Sequence, residues 1–149
     1  MKKQSTHKHI IVYTDGGSRG NPGQAALGVF VETLGKRYAE VIGVATNNIA
    51  EYAAIIFALK KCKQLLGSDI ALKSTVEIRS DSQLVVSQLS GVFKLKEKEL
   101  FESFIAVWNL KQEFESVSFV HIPREKNTIA DGLVNQALDE REQHSRTLF

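Results

Sequence analysis

The chain has 149 residues, 43% hydrophobic and 24% charged, with 19 Lys plus Arg against 17 Asp plus Glu, a formal charge of +2 and a single cysteine. That length suits one domain with a proper core. The balance argues against disorder, a collagen-like repeat, a disulfide scaffold, and nucleic-acid binding driven by net charge alone. The basic N-terminus is followed by an apolar run of only Ile10 to Tyr13, and the longest run elsewhere is Ala53 to Leu59, far below the roughly 20 residues that span a bilayer. The expectation is therefore a single domain over 1–149, with flexible tails at 1–8 and about 142–149, no signal peptide, no membrane segment and a cytoplasmic location.

In chain order, Ile10 to Thr14 is a β-branched run that predicts a strand, followed by a Gly-rich loop from Asp15 to Gly23. Ala26 to Glu32 and Arg37 to Ala45 predict two more strands around a turn at Leu34-Gly35-Lys36, completing an antiparallel meander. From Asn48 to Leu66 the apolar residues Tyr52, Ile55, Leu59, Cys62 and Leu66 fall at helical spacing, which predicts a long amphipathic helix ended by Gly67-Ser68, with Cys62 in the core. Thr75 to Ser80 predicts a fourth strand, and Asp81 to Leu89 a short helix closed by Gly91. Lys96 to Gln112 predicts a helix with Phe101, Phe104, Ile105 and Trp108 on one face. Ser116 to Ile122 predicts a fifth strand stopped by Pro123, and Thr128 to about Arg141 a last helix. The order implies an α/β fold, a mixed sheet covered by helices.

Four acids stand at element ends: Asp15, Glu51, Asp81 and Asp131. Each has an ordinary alternative. Asp15 suits a turn, Glu51 a capping box with Asn48, Asp81 an N-cap, and Asp131 a capping box with Thr128. Together they point elsewhere, because α/β sheets place their sites at the carboxyl ends of strands. Converging carboxylates repel one another unless a cation neutralises them, and carboxylate oxygens suit Mg²⁺ or Mn²⁺ rather than zinc. Other chemistries lack their motifs: there is no Walker A ending, no Gly-x-Gly-x-x-Gly spacing and no Gly-x-Ser-x-Gly elbow.

The acids lie in four segments, Tyr13-Thr14-Asp15-Gly16-Gly17-Ser18-Arg19-Gly20-Asn21-Pro22-Gly23, Thr46-Asn47-Asn48-Ile49-Ala50-Glu51-Tyr52, Ser80-Asp81-Ser82-Gln83 and Pro123-Arg124-Glu125-Lys126-Asn127-Thr128-Ile129-Ala130-Asp131. In this order they resemble the signature blocks of type 1 ribonuclease H, over Ile10 to about Leu138. The resemblance implies a five-stranded mixed sheet with helices on both faces. It implies hydrolysis of the RNA strand of RNA/DNA hybrids to 5′-phosphate and 3′-hydroxyl ends, with two Mg²⁺ ions (Mn²⁺ as substitute) held by Asp15, Glu51, Asp81 and Asp131, Asp15 bridging both. Substrate contacts fall on Gly16, Gly17, Ser18, Arg19, Asn21, Asn47, Asn48, Gln83, Lys94, Lys96, Arg124 and Asn127, among which Asn21, Asn48 and Gln83 are placed to read the RNA 2′-hydroxyls. Asn47 and Asn48 equally suit helix caps, and Gln83 equally suits a capping box with Ser80.

The sequence departs from the bacterial pattern twice. The bacterial Gly-His loop before the last motif is shortened, because His121 continues an alternating strand-like run, so Arg124 or Glu125 is the nearest substitute for the usual loop His. Leu89 to Leu100 lacks the long basic insertion of the bacterial handle, although Lys94, Lys96 and Lys98 remain. The expected partner is an RNA/DNA hybrid, bound by a monomer without an obligatory protein partner. Two rival readings are a hybrid-binding module without catalysis and a carboxylate nuclease of the recombinase or resolvase type.

Overall fold

A computed structural model of the chain describes residues 7–147. Five strands, β1 (His9–Gly20), β2 (Gly23–Val31), β3 (Lys36–Ala45), β4 (Thr75–Ser80) and β5 (Ser116–His121), form one sheet in the order β3-β2-β1-β4-β5. The meander β1–β2–β3 is antiparallel, and β1–β4 and β4–β5 are parallel, as the element order requires. The helices are α1 (Asn47–Leu66), α2 (Ser68–Leu72), α3 (Gln83–Leu89), α4 (Phe101–Lys111) and α5 (Thr128–Thr147). None of the described helices is long and apolar enough to cross a membrane.

The segment expected to be a Gly-rich loop is strand. Asp15 to Gly20 all pair with β2, from Asp15 opposite Gly28 to Gly20 opposite Gly23, leaving only Asn21-Pro22 as the turn. Gly16 serves close approach rather than chain reversal, because a β carbon on it would lie 2.1 Å from the Ala50 carbonyl oxygen. Successive strand residues point to opposite faces, and Gly16 meets α1 where Gly17 meets Val134 of α5, so these two helices cover opposite faces of the sheet.

The main core lies under α1 and α4 and includes Ile10, Val12, Val29, Ile55, Ile78 and Val107; a smaller one under α5 holds Ala26, Val134, Ala137 and Leu138. Cys62 is buried in the main core, and burial pushes its thiol up to about 12.

Several expected boundaries move. The predicted helix over Lys96 to Gln112 starts as a 3-10 turn at Lys98–Leu100 and becomes α-helical at Phe101. Its expected apolar face is split: Phe104 packs on the core, whereas Phe101, Ile105 and Trp108 are exposed, Trp108 to 55%, because the buried stripe runs through Leu100 and Val107. The short helix α2 was not expected. Of the expected tails, 1–6 and 148–149 lie outside the described residues. The Lys8 carbonyl accepts a bond from the Thr75 N–H, and α5 continues through 142–147, where Arg19 holds Glu142 at 2.8 Å.

Candidate active site

The site exists because β1 outruns β4. The two pair in parallel as far as Thr14 opposite Ser80; beyond that β1 keeps only β2, and the vacated flank is filled by the start of α1 and the start of α5. Asp15 is the first residue past that point and Asp81 the first after β4, so both carboxylates stand at the carboxyl ends of neighbouring parallel strands. Glu51 enters from the first turns of α1, and Asp131 from the first turn of α5.

The spacing of these carriers is set by main chain. Gly16 packs against Ala50, the residue before Glu51, and Gly28, which faces Asp15 across the hairpin, packs against Ala130, the residue before Asp131. A β carbon at Gly28 would sit 2.3 Å from the Ala130 carbonyl oxygen.

Asp15, Glu51 and Asp81 each offer a carboxylate oxygen within 4.8 Å of the other two. Asp15 is 7% and Glu51 8% exposed. Burial, and then the charges of Asp81 and Asp131, push the Asp15 carboxyl up to about 7. Burial, with Asp15 and Asp81 beside it, holds Glu51 well above the usual carboxylate range, against a hydrogen bond from the Gly16 backbone. Glu51 Oε2 is buried without a hydrogen-bond partner. An orphaned carboxylate oxygen amid acids that raise one another's pKa is the arrangement a hard divalent cation relieves, and this trio fits such an ion. Asp131 stands outside the tight trio but lines the same crevice, and its charge bears on Asp15.

The capping alternatives fall away for two acids and two polar residues. Thr46 caps α1, accepting from Ile49 N–H at 3.2 Å, and Ser82 caps α3, accepting from Val85 N–H at 3.3 Å. Neither Glu51 with Asn48, nor Asp81, nor Gln83 with Ser80 therefore has a capping duty.

The crevice, about 380 Å³, is lined by the four acids and, among the expected substrate residues, by Gly16, Gly17, Ser18, Arg19, Asn47, Asn48 and Arg124. At its rim Ser18 donates through N–H and Oγ to Asn47 Oδ1, at 2.9 and 3.1 Å, and the Asn47 N–H donates to Asn21 Oδ1 at 3.0 Å. The hairpin tip is thus stitched to the start of α1. Arg19 turns to α5, bound to Asp139 at 2.7 Å and Glu142 at 2.8 Å. Gln83 is exposed at the start of α3, and Lys94 and Lys96 flank a separate shallow hollow with Leu84, Val92 and Phe93. Asn127 is only 1% exposed; its Nδ2 donates to the Thr14 carbonyl at 2.9 Å and to Asp81 Oδ2 at 3.2 Å, so it holds an acid in place. His121 lies in β5 opposite Ser80, its Nε2 3.2 Å from the Asp81 carbonyl oxygen.

Sequence reasoning missed four lining residues, Ser82, Val134, Asn135 and Leu138. Asn135 lies one helical turn beyond Asp131 and donates to its main-chain oxygen at 3.2 Å, a spacing that was visible in the sequence.

A mixed sheet of this order, with an acidic crevice where two parallel strands end, defines a ribonuclease H-like protein. A family model described as Reverse transcriptase-like matches residues 13–137. The ribonuclease HI of Halobacterium salinarum is 43% identical over 135 residues, 88% of this chain and 65% of that protein. The ribonuclease H of Polynucleobacter asymbioticus is 33% identical over 156 residues, covering 93% of this chain and 96% of the other. Among solved structures, LC11 ribonuclease H1 in complex with an RNA/DNA hybrid superposes with a TM-score of 0.82 at 45% identity, over 89% of this chain and 98% of that one. The chain belongs to the type 1 ribonuclease H family. It spans 35% of the length of the mycobacterial relatives that it matches at 36% identity.

Proposed function

We propose that this chain is an endoribonuclease that hydrolyses the RNA strand of RNA/DNA hybrids, leaving 5′-phosphate and 3′-hydroxyl ends, and that it works as a cytoplasmic monomer. The observation that carries the reading is the close trio of Asp15, Glu51 and Asp81, the first two buried, with its orphaned Glu51 oxygen. The hybrid seen in the LC11 relative supports the choice of substrate.

Asp15, Glu51, Asp81 and Asp131 would hold two Mg²⁺ or Mn²⁺ ions. Such ions supply a water nucleophile at neutral pH and stabilise charge on the leaving 3′-oxygen. The protein's own part is placement. Asn127 ties Asp81 to Thr14, the β1 residue before Asp15, so the trio is oriented before substrate arrives. The backbone of Gly16, Gly17 and Ser18 borders the crevice and lets a sugar-phosphate strand approach closely. Asn48 and Gln83, free of capping duty, are assigned to the RNA strand together with Asn21 and Asn47, whose bonds fix the rim. Arg124 brings a cation to the crevice. Lys94 and Lys96 engage phosphates farther out, and Arg19 acts through the hairpin that it fastens.

The test is cleavage of labelled RNA/DNA, RNA/RNA and DNA/DNA duplexes side by side, with and without Mg²⁺. RNA-strand cutting of the hybrid, dependent on the metal, is expected. Cutting of DNA/DNA would favour a resolvase-type nuclease, and binding without cutting would favour a non-catalytic module.

A further inference from the structure

Between α3 and α4 the chain leaves regular structure. The turns after α3 close through Val92 and Phe93 N–H onto the Ser87 carbonyl, at 2.8 and 3.0 Å, and from Lys94 to Glu97 there is neither helix nor strand. In this stretch the side chains alternate. Lys94 and Lys96 are exposed, whereas Leu95 packs on the main core and Glu97 is half-buried. Glu97 Oε2 accepts from Gln88 Nε2 at 2.9 Å, and Gln88 Oε1 accepts from the Tyr52 hydroxyl at 2.8 Å. Gln88 is 2% exposed and Tyr52 fully buried. The Glu97 carboxylate only accepts, so it draws the Gln88 amide nitrogen and leaves the amide oxygen to accept from the phenol.

Tyr52 follows Glu51 in α1. The relay therefore runs from the helical turn that carries a site acid to the segment that carries two lysines. We propose that Glu97 is a positioning residue, latched through Gln88 to Tyr52, which holds Lys94 and Lys96 at a fixed place relative to the acidic crevice so that they grip the hybrid in register. This deepens the functional reading above and rests on it.

The charge of Glu97 makes the proposal sharp. If Glu97 mattered only as an anion near two lysines, removing it would strengthen the grip on a polyanion. If it is a latch, removing it loosens the lysines and weakens the grip. Glu97→Gln and Glu97→Ala carry the same charge, but only the Gln side chain keeps an oxygen to accept from Gln88.

The experiment measures hybrid affinity by fluorescence anisotropy without divalent metal, and single-turnover cleavage with Mg²⁺, for wild type, E97Q and E97A; melting temperatures verify that all three fold. E97A is expected to bind at least about fivefold more weakly than E97Q, with the saturating cleavage rate within about twofold. Replacing Lys94 and Lys96 by Ala should then cost less affinity in E97A than in wild type, since lysines already loosened have less to lose. Equal affinity of E97A and E97Q, tighter binding by both, or strictly additive losses would each overturn the latch. Wild-type cleavage judges the functional reading separately: a protein that binds the hybrid without cutting it overturns the ribonuclease assignment, while the ratio of E97A to E97Q still decides the latch.

Discussion

The two halves of β1 differ in almost everything except their conformation. From His9 to Thr14 the strand pairs with β4, from Val12 with β2 on its other side as well, and Ile10 and Val12 are wholly buried in the main core. From Asp15 to Gly20 it keeps one strand neighbour, has no apolar side chain, and carries a carboxyl held up to about 7. The first half gains stability by burying apolar surface; the second gives some up to keep an anion out of water. One continuous strand thus joins an apolar support to an acidic site, with the division where β4 ends.

If that division is real, changes in the second half alter chemistry more than stability. Asp81→Asn and Asp15→Asn should each lower hybrid cleavage by at least about a thousandfold, while circular dichroism remains that of the wild type. Near wild-type turnover by either would remove the site from where it is placed here. Gly28→Ala should come next, at about a hundredfold, because the new methyl displaces Ala130 and with it Asp131. A crystal structure of that variant with α5 unmoved would refute the cause. Asn127→Ala should lower activity by roughly 10- to 100-fold and raise the metal concentration needed for half-maximal rate. A raised KM for hybrid with an unchanged metal requirement would instead make Asn127 a reader of substrate.

The pH dependence sharpens the same contrast. Asp15 titrates at about 7 in the folded chain against an ordinary value of 3.8, so the native state retains a proton that the unfolded chain has released. The stability this contributes is full below about 4, falls across the interval and is gone above about 7. The metal-free protein should therefore melt several degrees lower at pH 8 than at pH 5, and Asp15→Asn should flatten the slope. A slope unchanged by that substitution would place the proton elsewhere. The smallest effect is expected of His121→Ala, which should leave kcat within several-fold, since His121 is a β5 residue paired with Ser80. A loss of 100-fold or more would make it the general acid or base that a loop His supplies.

Much of this was legible in the residues. Thr75 to Ser80 was read with its observed bounds, and the long helix lacked only Asn47, because β-branched alternation and the 3.6-residue period are strong local signals. The Asp15 to Gly23 stretch was misread because Gly16 answers to a helix that arrives about thirty residues later and Gly17 to one beyond that. The face of α4 was misread because apolar residues ring that helix, and which of them are covered depends on α1. The four acids were legible as element-end charges, and the crevice brings all of them together. Arg19 and Asn127 carried no sequence sign of their bonds to α5 and to the Thr14 carbonyl, since both bonds close over more than a hundred residues.

The contacts of Gly16 with Ala50 and of Gly28 with Ala130 also bear on how freely the rest of the protein can change. Where helices dock through side chains, every exchange of Leu for Ile in the core shifts a helix by a fraction of an ångström. Here α1 and α5 rest on the sheet through peptide groups, one residue before Glu51 and Asp131, and peptide groups do not vary with sequence. The interior can drift through many hydrophobic repackings, and the surface through many charges, while the separation of the carboxylates stays constant. Two hydrogen atoms in place of two methyl groups thus insulate the reaction centre from the mutational history of the scaffold.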